Sequence, residues 1–328
     1  MLYENMHQLV GNTPLVELVN MGVSPEVHIF AKLEMYNPSG SVKDRIGKYM
    51  IECAEKEGRL KKGGTIIEAT AGNTGLGIAF AALGKGYRVI FTVPIKFSAE
   101  KQALLRAFGA EVINTPREEG MLGAVKKAEE LKAQIPDAIS LDQFKNPGNP
   151  LAHYETTGKE IWEDIGGKVT HIVAGAGSGG TYTGIVRYIK QQDPAVQGVL
   201  ADPEGSTIGC GEHFDYNIEG IGNDFIPDTM DISLVDKVVK VNDREAFATV
   251  RDLARHGGMT LWGAKLGIPS LLVGDEHFGM GYEGLVNYGE RILETIDNDE
   301  FVKNLAKHSS NPYTDWWLQQ EPYTFLGK

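Results

Sequence analysis

Lys43 is the residue around which the chain could build covalent chemistry. It stands in Lys32-Leu-Glu-Met-Tyr-Asn-Pro-Ser-Gly-Ser-Val-Lys43-Asp-Arg45. A strand ends there, Pro38 and Gly40 turn the chain, and Ser41 is placed to cap a helix. Lys43 then falls in the first helical turn, where the positive end of the helix dipole disfavours an ammonium. That setting favours the neutral amine that a Schiff base requires. Taken alone, the same pattern also describes an exposed lysine near a helix start.

Two glycine-rich turns could supply the rest of a site. Glu68-Ala-Thr70-Ala71-Gly72-Asn73-Thr74-Gly75 follows a strand and opens a helix. Its small residues let backbone N–H groups approach an anion at a helix N-terminus. Thr70 and Thr74 could hold a carboxylate, and Asn73 could reach a phenolic oxygen. A strand-to-helix turn capped by threonines is the plainer reading. Gly175-Ala-Gly177-Ser178-Gly179-Gly180-Thr181 has the same strand–loop–helix setting and reads as a phosphate cradle. It also matches GxGxxG, and Asp202 follows Gly180 by 22 residues. That is the spacing of a dinucleotide fingerprint, which keeps an NAD-dependent oxidoreductase open as an alternative. The hydroxyls of Ser178 and Thr181 suit a terminal phosphate monoester better than a bridging pyrophosphate.

The elements that must position these turns alternate. Predicted strands cover Thr65–Ala69, Arg88–Pro94, Glu111–Asn114, Ala138–Leu141, His171–Ala174, Gln197–Ala201 and Lys237–Val241. Between them lie predicted helices. Ile46, Met50 and Cys53 recur at i, i+4 and i+7 on one face. Ser98 caps a helix over Ala99–Phe108 that Gly109 stops. Further helices are predicted over Gly120–Gln134, Ala152–Ile165, Gly179–Gln191 and Arg244–His256. This alternation predicts a three-layer α/β/α architecture with mostly parallel sheets. The length of 328 residues suggests two lobes. The turn-rich run Phe144–Pro150 marks one crossing and Met35–Gly40 the other. The expected smaller lobe is 41–145, and the larger one combines 1–40 with 146–328.

Bulk properties remove several function classes. The net charge of −12 argues against a nucleic-acid footprint or a basic membrane face. The two cysteines, Cys53 and Cys210, are far apart and outside any CxxC pair, so neither a disulfide framework nor a structural metal site is expected. No apolar run is long enough to span a bilayer. The first residues lack the basic region and apolar run of a signal peptide. The chain is therefore read as cytoplasmic, acting on small molecules without nucleic acid or membrane partners.

Taken jointly and in order, these segments bring a family into view. Gly11-Asn-Thr-Pro14, Asn37-Pro-Ser-Gly-Ser-Val-Lys43-Asp-Arg45, Thr70–Gly75, Gln143-Phe144, Gly175–Thr181 and Glu219-Gly-Ile-Gly222 resemble the cysteine synthase and cystathionine β-synthase family. These are fold type II pyridoxal phosphate enzymes, like the tryptophan synthase β chain. The resemblance runs from residue 1 to about 259. Pro94–Ser98 and Gly220–Pro227 look like the bacterial branch that makes cystathionine from O-acetylserine and homocysteine. The resemblance implies that Lys43 carries pyridoxal 5′-phosphate as a Schiff base and acts as the general base. Asn73 would bond the cofactor's 3-hydroxyl, and Gly177, Ser178, Gly179, Gly180 and Thr181 would hold its phosphate. Thr70, Ala71, Gly72, Thr74 and Gln143 would bind the substrate carboxylate, and Gly220 would line the amino-acid side. The implied reaction replaces the β-substituent of serine or O-acetylserine with sulfide or homocysteine, giving cysteine or cystathionine, in a homodimer.

The pattern changes after Met259. Relatives continue into a strand and a Ser-Ser-Gly-Ala turn, one serine of which bonds the pyridine nitrogen. Here the chain reads Thr260 to Gly279 without that turn. In one account an insertion brings Asp275, Glu276 or His277 to that nitrogen. In the other, slightly favoured, the last 65 or so residues are foreign and faintly resemble the C-termini of nitrogenase component 1-type subunits. Asp275-Glu276-His277 reads as a solvated turn and not as a metal site. A missing turn would also suit a catalytically idle member that binds the cofactor.

Overall fold

A computed structural model describes residues 2–18, 26–70 and 72–256. The atypical tail, Asp275–His277 within it, and Ala71 lie outside the described residues. The elements run β1 (Leu15–Glu17), β2 (Phe30–Lys32), α1 (Lys43–Lys56), β3 (Thr65–Ala69), α2 (Asn73–Ala82) and β4 (Arg88–Pro94). They continue with α3 (Ala99–Ala107), β5 (Glu111–Thr115), α4 (Gly120–Gln134), α5 (Gly148–Glu155) and α6 (Thr157–Asp164). Last come β6 (His171–Ala174), α7 (Gly180–Gln192), β7 (Gln197–Pro203), β8 (Lys237–Val241) and α8 (Asp243–His256).

Two parallel sheets organise the chain, ordered β3-β4-β5 and β6-β7-β8, beside the short antiparallel pair β1-β2. Each sheet has its own apolar cluster. Ile66, Phe91 and Val93 pack with Ile46, Met50 and Leu105 around the first. Ala174, Leu200, Tyr182 and Ile185 form the second. The buried parts of β3 (Thr65–Ile67) and β4 (Val89–Pro94) read as largely β-branched and aromatic runs because helices cover both faces. Ile46 and Met50 are buried and Cys53 is half-buried, as the i, i+4, i+7 stripe requires. The Ser98 hydroxyl accepts from the Lys101 N–H at 3.3 Å, and Gly109 takes φ +83° to end α3. Among the described residues, no helix is long and apolar enough to cross a membrane.

Two expectations need correction. Ala138–Leu141 is not a strand; Ile139 makes a single parallel bridge to Ile66. The Leu141 and Asp142 N–H groups, which would extend a ladder, donate to the Glu68 carboxylate instead. The helix expected over Ala152–Ile165 is two helices, broken at Thr156 (φ −122°, ψ −77°). The Thr156 hydroxyl turns back on the Ala152 carbonyl at 2.6 Å, a local bond that competes with helix propagation.

Helices α1 and α2 cross at paired glycines. A methyl group on Gly77 would sit 2.3 Å from the Lys43 carbonyl oxygen, and one on Gly47 would sit 2.4 Å from Gly77 backbone. Backbone atoms cannot yield as a flexible side chain would. Gly77→Ala is therefore expected to cost about 1–3 kcal/mol, read by urea denaturation, despite alanine's better helix propensity. An unchanged midpoint would show that the crossing opens freely.

Candidate active site

Lys43 opens α1 and is 1% exposed. The hydroxyl of Ser41 accepts from the Lys43 N–H at 3.2 Å, so Ser41 serves the helix start from one residue outside the Val42 cap position. The preceding turn is pinned by Asp44, whose carboxylate accepts from the N–H and hydroxyl of Ser39. Burial pushes the Asp44 carboxyl up to about 6, against the pull of these Ser39 bonds.

A buried ion network anchors the same helix. Arg45 Nε and Nη2 donate to the two Glu34 oxygens at 2.7 and 2.8 Å, and Nη1 and Nη2 donate to Glu160 at 2.7 Å each. Lys32 reaches Glu160 at 3.0 Å and the Thr13 carbonyl at 2.8 Å. The Glu160 carboxyl resists its own burial and is held down at about 2 by Arg45 and Lys32. The Arg45 guanidinium is driven further into its charged range by Glu34 and Glu160, which outweigh the effect of burial. Asn12 N–H donates to Glu160 and Gly11 N–H to Asn37 Oδ1, tying the Gly11–Pro14 segment to α6 and to the turn before α1.

The turn at Thr70–Gly75 faces open space: a methyl on Gly72 would meet nothing within 4 Å. Thr70 Oγ1 accepts from the Gly72 N–H at 3.3 Å, and Asn73 begins α2. The Thr74 hydroxyl donates to Gln143 Oε1 at 2.7 Å, so the structure brings these two expected substrate ligands together. Glu68 sets the height of the Gln143 turn by accepting from Ser140, Leu141 and Asp142. Burial raises its carboxyl, opposed by those donors.

Gly175 to Thr181 is buried throughout and leads into α7. Gly179 takes φ +82°, and a methyl there would sit 2.5 Å from the Met230 side chain. The Gly222 N–H donates to the Ala176 carbonyl, and Asn223 Nδ2 to the Gly177 carbonyl, which places the Gly220 turn against this loop. The Thr229 hydroxyl donates to the Ser178 carbonyl at 2.5 Å and its N–H to the Phe144 carbonyl at 3.2 Å, bridging the loop to the Gln143 turn. His153 lies under Thr181, its Nε2 2.8 Å from Thr181 Oγ1 and its Nδ1 2.9 Å from Thr157 Oγ1. Burial, reinforced by the nearby charges of Arg45 and Lys43, holds this imidazole well below its ordinary pKa.

Asp202 is fully buried and accepts from Lys240 Nζ at 2.6 Å and from the Gly209 N–H at 2.9 Å. A carboxylate committed inward in this way is a poor ribose ligand, which removes the main support for a dinucleotide site. Among the described residues, no cluster of metal-ligating side chains is present.

Asn149, His153, Thr229 and Glu68 were not anticipated as parts of the site. The signal for the first two was there: Asn149 and His153 stand four residues apart, which places both polar groups on one face of a helix.

The residues fit a phosphorylated, carbonyl-bearing cofactor. Lys43 offers a buried amine, and the Gly175–Thr181 loop offers backbone N–H groups, a helix N-terminus and two hydroxyls, all suited to a phosphate dianion.

Comparison with known proteins agrees. The family described as pyridoxal-phosphate dependent enzyme matches residues 6–272. An O-acetylserine dependent cystathionine beta-synthase of Bacillus subtilis (strain 168) is 47% identical over 254 residues, covering 77% of this chain and 83% of that protein. A cysteine synthase of Helicobacter pylori (strain ATCC 700392 / 26695) is 44% identical over 261 residues, covering 79% and 85%. The crystal structure of O-acetylserine dependent cystathionine beta-synthase from Helicobacter pylori superposes with a TM-score of 0.75 at 42% identity, covering 83% of this chain and 89% of that one.

Proposed function

Because the chain belongs to the pyridoxal-phosphate dependent enzyme family, we propose that it replaces the β-substituent of O-acetylserine or serine with a thiol, sulfide or homocysteine. The observation that carries this reading is a hydrogen-bonded chain: Thr74 donates to Gln143, and Asn149 donates both to the Gln143 carbonyl and to Ser178 of the Gly175–Thr181 loop, while Lys43 lies buried at the start of the helix that crosses α2. When bound, pyridoxal phosphate supplies a carbonyl for an amine to condense with and a ring that withdraws electrons from the substrate's α-carbon.

The protein's residues do the remainder. Gly177 to Thr181 hold the phosphate at the start of α7, and Asn73 bonds the ring hydroxyl. Thr70, Ala71, Gly72 and Thr74, with Gln143, bind the substrate carboxylate and aim the α-proton at Lys43. Lys43 takes that proton as general base and returns it after the thiol has added at the β-carbon. Gly220 lines the amino-acid side, where its turn leans on the loop. We assign the substrate-binding lobe to 41–145 and the phosphate-binding lobe to 1–40 with 146–328, in line with the two separate apolar clusters. A cytoplasmic homodimer acting on free amino acids fits the same reading.

Visible absorption of the purified full-length chain tests it. A band that shifts when O-acetylserine is added, and reverts on adding sulfide or homocysteine, is expected. The thiol that restores the band, with its product identified by mass spectrometry, names the acceptor. A band unmoved by either donor would overturn the proposed reaction.

A further inference from the structure

The Gly175–Thr181 loop does not stand alone; a second row of side chains lies behind it. Asn149 and His153 are one helical turn apart on α5, and both are 0% exposed. Each meets one hydroxyl of the loop. Asn149 Nδ2 lies 3.0 Å from Ser178 Oγ, and His153 Nε2 lies 2.8 Å from Thr181 Oγ1. Glycines on α7 make room for them. A methyl on Gly180 would fall 1.9 Å from Asn149 Oδ1, and one on Gly184 would fall 2.2 Å from the Pro150 carbonyl and 2.6 Å from His153 Cβ. Gly180 and Gly184 are themselves one turn apart, so the two helices meet glycine against polar side chain at successive turns.

The chemistry of these contacts sets the direction of each hydrogen bond. Asn149 Nδ2 also lies 2.8 Å from the Gln143 carbonyl, which can only accept. The atom facing it must therefore be the amide nitrogen, and Ser178 Oγ receives its second hydrogen. On His153, the neutral ring carries one N–H. If Nε2 bears it, Thr181 accepts and Thr157 donates to Nδ1. A hydroxyl that accepts from behind can turn its own hydrogen outward.

We propose that Asn149 and His153 are positioning residues that fix Ser178 and Thr181 as outward donors to a phosphate monoester, with Asn149 also linking that grip to the Gln143 turn. This rests on the reading of the loop as the phosphate holder. The guest they select is a dianion with acceptor oxygens only; a ligand lacking the phosphate gains nothing from them.

The test compares binding of pyridoxal phosphate and of pyridoxal to the full-length chain freed of bound cofactor, followed by absorbance and fluorescence. The native chain is expected to prefer pyridoxal phosphate. Asn149→Leu and His153→Leu are each expected to reduce that preference about tenfold or more, the weight of a hydrogen bond to a charged group. His153→Gln, which keeps an N–H donor, should recover most of it. In a Thr181→Val background His153→Leu should add little, because its route is already cut. Should either leucine variant fold poorly, His153→Gln and the Thr181 background still decide the matter. Equal loss of affinity for both ligands would mean mere structural support and overturn the inference. So would an unchanged preference in every variant. A native chain without preference would instead strike the phosphate-holding reading itself.

Discussion

Lys43→Ala is expected to leave the purified chain without its visible absorption band and to lower turnover about a thousandfold or more. The side chain is 1% exposed at the first position of α1. On the proposed reading the variant loses both the covalent attachment point and the general base. Its backbone contact with Gly77 needs no side chain, so far-ultraviolet circular dichroism and the melting temperature should change little. Lys43→Arg keeps a long basic side chain yet should behave like Lys43→Ala, since a guanidinium neither condenses with a carbonyl nor accepts a proton at neutral pH. A variant that keeps the band, or more than a tenth of the native rate, would remove Lys43 from the chemistry.

The second large effect is on stability. Arg45→Met should destabilise the chain by about 3–5 kcal/mol, because Glu34 and Glu160 lose the cation that both contact while staying buried. A fall in melting temperature of roughly 5–15 °C would register it. The same network has a pH signature. Glu160 sits at about 2 against an ordinary 4.5, so its folded value is depressed. Its stabilising contribution is fully present above pH 4.5 and disappears as pH falls through about 2. The contribution is of the order of 3 kcal/mol. Glu160→Gln should therefore flatten the acid limb of the native stability profile. An acid limb identical to the native one would show that other carboxylates govern it.

Much of the scaffold was legible in the sequence because parallel strands buried on both faces announce themselves. Thr65–Ala69, Arg88–Pro94, His171–Ala174 and Lys237–Val241 match the structure to the residue, as does the helix Gly120–Gln134. The failures share one cause: a side chain outbid the backbone. Residues 138–141 have strand composition, yet Glu68 takes the N–H groups their ladder would use. The stretch 152–165 reads as one helix, yet Thr156 bonds back to Ala152 and splits it. Within the site, the glycine turns were visible because their spacing follows from approach to an anion. Asn149 was hidden in a segment whose prolines and glycine read as a lobe crossing, and His153 in the first turn of a predicted helix. Their role comes from which residue lies across the helix interface, and that is set by Gly180 and Gly184 more than thirty positions away.

The break at Thr156 lets one stretch of chain serve two masters, with His153 reaching the α7 loop before it and Glu160 reaching Arg45 after it. That arrangement has a consequence during synthesis. Glu160 follows Arg45 by 115 residues, so at about 5–20 residues per second the guanidinium waits roughly 6–23 s for this partner to be made. Until then the Arg45 guanidinium has Glu34 and the Thr13 hydroxyl as partners, and Thr181, which His153 meets, has not yet left the ribosome. A nascent chain halted before residue 160 thus carries Lys43 on an unsealed helix. Competence for cofactor capture arrives late and nearly all at once, rather than growing with chain length.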